Sequence, residues 1–282
     1  MIAIDIACNG SKRKPGRNND ILRSIHLRIL HTDELEFKSM AKVNFVIVSQ
    51  PRSGSTFLID TLSSNEQVFC DNELYNLTMI ARLDSNNDNT DLAAVKRRDC
   101  DPVSFYHEFY GSDFAKRIYA LGFNFMLGHH SHVLKTIVED QSLKIIYLER
   151  ENKLAQASSW FRALDDRIWA TRESAQIDLE QKNTFNRYAY NEYIRAAQTL
   201  DYLFKLAVLN RGNVLHVTYV DFSDMNALLM RIASFLTVRD EFTFSDIKKQ
   251  NPNRIGNRFV NDKDAKKYLT AVNQAHWLED EL

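Results

Sequence analysis

Val43 to Leu62 reads VNFVIVSQPRSGSTFLIDTL, and the order of residue types within it decides the fold class. Its first seven residues, Val43 to Ser49, form an unbroken β-rich apolar run, the signature of a strand buried on both faces. Pro51 and Gly54 then interrupt the chain, and Phe57, Leu58 and Leu62 return at helical spacing. The stretch is therefore strand, tight loop, helix. Three further runs have the same character, GFNFMLG (122–128), LKIIYLE (143–149) and NVLHVTY (213–219), with helical segments between or after them. Strands that alternate with helices imply a three-layer α/β domain around a mainly parallel sheet. The longest predicted helix runs from Thr184, as its cap, to Leu209, with an apolar stripe of Phe185, Tyr188, Tyr193, Ala197, Leu200, Phe204 and Ala207.

Residues 1–42 read as an N-terminal extension, polar and basic from Asn9 to Asp20 and briefly amphipathic from Ile21 to Leu30; residues 43–282 read as the domain proper. Asp84 to Asp91 is rich in Asn and Asp and is expected as a loop. The chain of 282 residues carries 36 basic and 37 acidic side chains, so no global field draws it to nucleic acid or to an anionic membrane. An anionic ligand must be held by local devices. Cys8, Cys70 and Cys100 are few, odd in number and lack metal-ligand spacing, which fits a reducing compartment, and a cytoplasmic location is expected. No apolar run approaches the roughly 18–20 residues of a spanning helix, and the first residues lack the apolar stretch of a signal peptide.

The loop Ser49-Gln50-Pro51-Arg52-Ser53-Gly54-Ser55-Thr56-Phe57 lies where backbone N–H groups of a helix start point outward together, a cradle for an anion. Gly54 permits close approach of the backbone, the hydroxyls of Ser53, Ser55 and Thr56 add donors, and Arg52 supplies a forked cation suited to phosphate or sulfate. An ordinary strand-to-helix turn capped by Ser55 is the plainer alternative. The loop departs from the nucleotide-kinase pattern GxxxxGK[ST]: Ser49 stands where the first Gly belongs and Ser55 where the Lys belongs. A second basic site follows the third apolar run, with Arg150 at the strand end and Ser158 eight residues on in the next helix, a bidentate cation and a hydroxyl donor.

Pro51 to Thr56 resembles the 5′-phosphosulfate loop P[KR]SG[ST][ST] of the sulfotransferase superfamily, and Arg52 in place of Lys is closer to its bacterial carbohydrate and Nod-factor branch. Arg150 with Ser158 is similar to that family's 3′-phosphate site. The run RENKLAQASSWFRA, the strand and Tyr-x-Asp-Phe of Asn213 to Phe222, and Val260, Asn261 and Leu269 extend the resemblance over about 43–269. It implies the sulfotransferase fold with a P-loop-like phosphosulfate-binding loop. It also implies 3′-phosphoadenosine 5′-phosphosulfate (PAPS) as donor without a metal, and a hydroxyl of a carbohydrate or glycolipid as acceptor. Arg52 would then contact the transferring sulfate, Ser53, Gly54, Ser55 and Thr56 the 5′-phosphate, and Arg150 and Ser158 the 3′-phosphate.

Attack by a hydroxyl on sulfur calls for a base, worth roughly 10²- to 10⁴-fold. By the same resemblance Glu73, in Asp71-Asn72-Glu73-Leu74-Tyr75 after the first helix, is the first candidate; His129 or His130 is the second. His129, His130 and His132 lack the carboxylate or thiolate that would complete a metal site. Trp160, Phe161 and Trp169 are candidates to stack on a sugar, and Phe57 on adenine, with core packing as the alternative for each. Arg162, one turn beyond Ser158, adds positive charge on the same face. Two other functions remain open at this stage: a nucleotide-dependent phosphotransferase with a degenerate phosphate loop, and a nucleotide-binding module without catalysis.

Overall fold

The computed structural model describes residues 42–84, 87–170 and 181–282. Apart from Lys42, whose Nζ donates to the Ala115 carbonyl at 3.2 Å, the expected N-terminal extension lies outside them. Five strands form one sheet, β1 (Val43–Ser49), β2 (Val68–Asp71), β3 (Ala120–Met126), β4 (Lys144–Glu149) and β5 (Val214–Thr218). They lie in the order β2-β3-β1-β4-β5, and every pairing is parallel. β1 sits at the centre, with Val43 opposite Ala120 on one side and Phe45 opposite Lys144 on the other.

The alternation of side chains along β1 sorts the core into two layers. Phe45 and Ile47 face Leu58 and Leu62 of α1 (Ser55–Leu62) and Leu228, Ile232 and Leu236 of α7 (Met225–Leu236). Val46 and Val48 face the opposite layer. There they meet Tyr106 of α3 (Pro102–Gly111), Val133 and Ile137 of α4 (Ser131–Glu139), and Phe204 and Val208 of α6 (Arg187–Val208). Burial of both faces explains why these strands read as continuous apolar runs rather than as alternating ones. A Cβ on Gly122 would lie 2.6 Å from the Phe45 ring, so the neighbouring strand must leave room for this aromatic. α2 (Leu92–Cys100) precedes α3, while α5 (Lys153–Asp166) and α8 (Asp262–Ala271) share a third apolar cluster with Phe185, Tyr190, Ile255, Phe259 and Leu278.

Three local expectations differ from the structure. The long helix begins at Arg187 and not after Thr184; the Asn186 side chain accepts from the N–H groups of Tyr188 and Ala189 at its start. Asn261 explains the delay, because its amide takes both the N–H and the carbonyl of Phe185 and keeps that residue out of the helix. The buried stripe is accordingly Tyr190, Ile194, Ala197, Phe204 and Val208, and Tyr188 is 72% exposed. β3 lies two residues earlier than expected, since Leu127 already turns to donate to the Ser49 carbonyl and Gly128 adopts φ 98°. The short strand β2 is additional.

The connection through α1 carries the chain from β1 outward to β2, whereas the one through α4 carries it from β3 across β1 to β4. The direction reverses at β1. In open parallel sheets this reversal leaves a crevice at the carboxyl ends of the strands, where ligands bind.

Candidate active site

The loop after β1 fills that crevice. Arg52 adopts φ 65° and Gly54 φ 91°, and these left-handed residues turn the chain sharply enough for α1 to start at Ser55. Gly54 is the residue before the helix and no side chain caps it, so the alternative of a turn capped by Ser55 is not what forms. The N–H groups of Ser55, Thr56 and Phe57 precede the first intrahelical donor, the Leu58 N–H that bonds to the Gly54 carbonyl at 3.2 Å, and are available to an anion. Gly54 is also sterically required: an added Cβ would lie 2.5 Å from Phe222 Cε2 and 3.2 Å from Tyr219 Cε2. Ser53 is buried with its hydroxyl donating to the Gln50 carbonyl at 2.8 Å. Ser55 is likewise buried. Phe57 packs on Phe222, ring centres 5.8 Å apart.

Arg52 is oriented by acceptors that carry no charge. Its Nε donates to Ser159 Oγ at 2.9 Å, Nη2 to Gln250 Oε1 at 2.5 Å and Nη1 to the Trp169 carbonyl. Burial, then the adjacent charge of Arg150, pulls its pKa down to about 10. A partly buried cation among neutral acceptors is well placed to gain from an incoming anion.

Arg150, at the end of β4, meets this loop directly: its Nη1 donates to the Arg52 carbonyl at 2.7 Å. Its guanidinium lies over the Tyr219 ring at 4.2 Å. The remaining edge is taken by Glu281, with Nε to Oε1 at 2.6 Å and Nη2 to Oε2 at 2.5 Å. Arg258 Nη2 and Lys249 Nζ approach the same carboxylate at 3.3 and 3.7 Å. Burial works to raise the Glu281 pKa, but the bonds from Arg150 and the three cations hold it below the ordinary value. Conversely, Arg258 is pulled down to about 10 and Lys249 to about 8, each by burial first.

Ser158 is fully buried in α5. Its hydroxyl donates to the Ala155 carbonyl at 2.9 Å and accepts from Arg258 Nη1 at 3.1 Å. Arg258 thus links the two residues singled out for the 3′-phosphate, Arg150 through Glu281 and Ser158 directly. Arg162 donates to the Gln250 carbonyl at 2.9 Å and pairs with Asp166 at 3.3 Å.

Glu73 follows β2, and His129 follows β3, the adjacent strand. Glu73 Oε2 accepts from Asn76 Nδ2 at 2.9 Å and stands 3.7 Å from His129 Nε2. Burial raises the Glu73 pKa, only partly opposed by the Asn76 bond. Burial, and then Arg98, lowers His129 to about 4, so its imidazole is neutral at physiological pH. His130 is lowered also, again by burial first. Its ring lies 6.3 Å from that of Tyr75. Among the described residues no group of three or more His, Cys, Asp or Glu is placed to hold a metal ion.

Asn124, wholly buried in β3, joins these two halves. Its N–H donates to the Asn72 carbonyl beside Glu73 at 3.3 Å, its Oδ1 accepts from Ser49 at 3.1 Å, and its Nδ2 reaches Ser55 Oγ at 3.5 Å. Asn124, Tyr219, Lys249, Arg258 and Glu281 carry no role in the sequence reading, although Tyr219 and Phe222 belong to the Tyr-x-Asp-Phe run that drew notice. Of the aromatic candidates, Trp160 and Trp169 pack together at 5.3 Å, Trp169 remains half exposed, and Phe161 packs on Tyr190. Asn261 serves the Phe185 backbone, and Leu269 is in the core.

No protein-family model matches the chain, and neither does any curated protein. Among solved structures it is similar to the crystal structure of a sulfotransferase from Alicyclobacillus acidocaldarius, at 15% identity and a TM-score of 0.47, over 84% of this chain and 95% of that one. It is also similar to the crystal structure of mouse sulfotransferase SULT7A1 complexed with PAP, at 17% identity and a TM-score of 0.39. That alignment covers 79% of this chain and 64% of the mouse chain, so it spans just under two thirds of the mouse protein.

Proposed function

We propose that this chain is a sulfotransferase that moves a sulfuryl group from PAPS to a hydroxyl of a carbohydrate or glycolipid. The observation that carries the proposal is the juxtaposition of two arginines at the carboxyl ends of neighbouring central strands. Arg52 is partly buried among neutral acceptors beside an uncapped helix start, and Arg150 donates to its carbonyl. A ligand with two phosphate groups on one nucleoside matches two basic sites so arranged.

The residues present fit such a donor. The amides of Ser55, Thr56 and Phe57 and the Arg52 guanidinium suit a phosphate joined to a sulfuryl group, and Gly54 keeps the floor of that cradle free of a side chain. Bound there, the donor supplies the sulfuryl group, whose bond to the bridging phosphate oxygen breaks as a bond to the acceptor oxygen forms. Arg52 and the loop amides stabilise the charge that grows on the phosphate oxygens. Glu73 takes the proton of the acceptor hydroxyl at a carboxylate oxygen, and its raised pKa makes it a stronger base than an exposed glutamate. Neutral His129 borders Glu73 at 3.7 Å, and the Asn76 amide orients the carboxylate at 2.9 Å. Arg150 and Arg258 hold the second phosphate, and Ser158 joins them once its hydroxyl turns away from the Ala155 carbonyl.

The test is transfer of labelled sulfate from PAPS across a panel of glycans and glycolipids, beside a melting series with 3′,5′-adenosine bisphosphate or with ATP and magnesium. Arg52→Ala is expected to lower kcat/KM by roughly 10²- to 10³-fold, as loss of a charge-stabilising donor does. Unchanged turnover by that variant would remove the mechanism. Stabilisation by ATP with magnesium, and not by the bisphosphate, would favour a phosphotransferase instead.

A further inference from the structure

The carboxylate of Glu281 sits where a phosphate would have to sit in order to reach Arg150. All three nitrogens of that guanidinium are engaged: Nη1 by the Arg52 carbonyl, Nε and Nη2 by Glu281, and one face lies on Tyr219. The side chains of Arg150 and Glu281 are 5% and 3% exposed, which leaves no room for a second anion alongside. Arg258, which also contacts the Ser158 hydroxyl, and Lys249 converge on the same oxygen atom. We propose that Glu281 is an internal anion that closes the second phosphate site, and that a nucleotide phosphate enters by displacing it. The proposal rests on the donor-site reading given above.

The segment that carries Glu281 is built to release it. Leu278 is the last residue of this segment in the apolar core, and Glu279, Asp280 and Leu282 are all exposed, so Glu281 is the one inward-pointing side chain beyond Leu278. Asn253 holds Leu282 by its main chain, accepting from the N–H at 3.1 Å and donating to the carbonyl. The segment is also held by the Ile255 N–H, which donates to the Glu279 carbonyl at 3.3 Å, by a bridge between Arg254 and Asp280, and by the Arg254–Glu279 ion pair at 3.4 Å; all of these polar contacts can exchange with water without opening the core. Charge also favours the exchange. A carboxylate brings one negative charge and two oxygens, whereas a phosphate monoester brings about 1.5 to 2 charges and three oxygens to the same arginines and lysine. The resting site is thereby kept from weaker anions, carboxylates included, and opens to a ligand whose other phosphate is already seated at Arg52.

Calorimetric titration with 3′,5′-adenosine bisphosphate and with adenosine 5′-monophosphate, which lacks the 3′-phosphate, tests this. Removing the internal competitor in Glu281→Gln should tighten the bisphosphate by about tenfold or more, since a binding-competent state no longer has to be selected. Affinity for the monophosphate should change by less than about twofold, because that ligand never competes with Glu281. Glu281→Asp withdraws the charge by one methylene and should give a smaller gain in the same direction, which keeps the test sound if the glutamine variant folds poorly. Arg150→Ala should reduce bisphosphate affinity to that of the monophosphate. If the parent binds the bisphosphate and both Glu281 variants bind it equally or more weakly, Glu281 is a structural ion-pair partner and the gate is refuted while the donor site stands. If the parent and the variants bind neither nucleotide, the donor-site reading falls, and the gate with it.

Discussion

Replacing Gly54 with alanine tests whether the phosphate loop is shaped as described, and its cost follows from two separate features. Gly54 has φ 91°, a left-handed conformation that costs a residue with a Cβ about 1–2 kcal/mol. The new Cβ would also lie 2.5 Å from Phe222 Cε2, and forcing a methyl group into a packed site costs about 1–3 kcal/mol more. The sum, roughly 2–5 kcal/mol, is a large share of the 5–15 kcal/mol by which domains are stable. Denaturant unfolding should show the loss as a lower midpoint with an unchanged slope. In a Phe222→Leu background the closest contact is gone while the 3.2 Å approach to Tyr219 Cε2 remains, so Gly54→Ala should cost less than in the parent, with the backbone part of about 1–2 kcal/mol as its floor. Because the displaced loop also carries the amides of Ser55 to Phe57, bisphosphate binding should weaken in the single variant. A Gly54→Ala protein as stable as its parent, to within about 0.5 kcal/mol, would refute both the turn geometry and the contact with Phe222.

Glu73→Gln should abolish transfer and raise the melting temperature: the raised pKa means that the fold disfavours the ionised form, so removing that charge relieves a strain present at neutral pH. For the same reason kcat/KM should fall on acidification at a pH above the ordinary glutamate value of 4.5, and a pH–rate profile flat down to that value would exclude Glu73 as the base. Asn124→Ala should cost about 1–3 kcal/mol by leaving buried partners unsatisfied and should lower kcat more than donor affinity; an unchanged kcat would show that the Glu73 and Arg52 loops are not coupled through it. Glu149 is held at about 2, where burial is outweighed by its bonds to His216 and Lys205. Its contribution is complete above the unfolded value near 4.5 and is lost as pH falls toward about 2. Glu149→Gln should therefore unfold more readily at pH 7 and match its parent near pH 2 in chemical denaturation.

What was legible in the sequence was what is local. Val43 to Ser49 is a strand at the expected residues because burial on both faces leaves a continuous apolar run, and Gly54 follows it as the sole residue type that suits a left-handed, crowded turn. β2 was not legible, since Val68 to Asp71 is only four residues and ends in a polar group; it is a strand because β3 pairs with it. The start of α6 was misplaced because the residue that holds Phe185 extended is Asn261, 76 positions away. At the site, the sequence singled out Arg52 and Arg150 through the loops that present them. It gave no sign of Glu281, because Glu279-Asp280-Glu281 reads as a solvated acidic run and its partner Arg150 is 131 positions distant.

The charge inventory explains why these distant residues belong to one device. Arg52, Arg150, Arg162, Arg258 and Lys249 gather around the crevice; among the described residues Glu281 pairs with Arg150, Arg258 and Lys249, and Asp166 with Arg162. Buried ion pairs seldom improve stability over well-packed apolar side chains, so folding alone does not account for such a group. Burial first, and neighbouring like charge after it, lower the values of Arg52, Arg258 and Lys249. At an effective dielectric constant near 20, a unit negative charge placed about 4 Å from one of these cations gains about 4 kcal/mol. A phosphate that meets two or three of them recovers much of the desolvation already incurred when the chain folded. On the donor-site reading the crevice is prepared for its ligand: folding removes much of the water from the cations, and binding would complete their neutralisation.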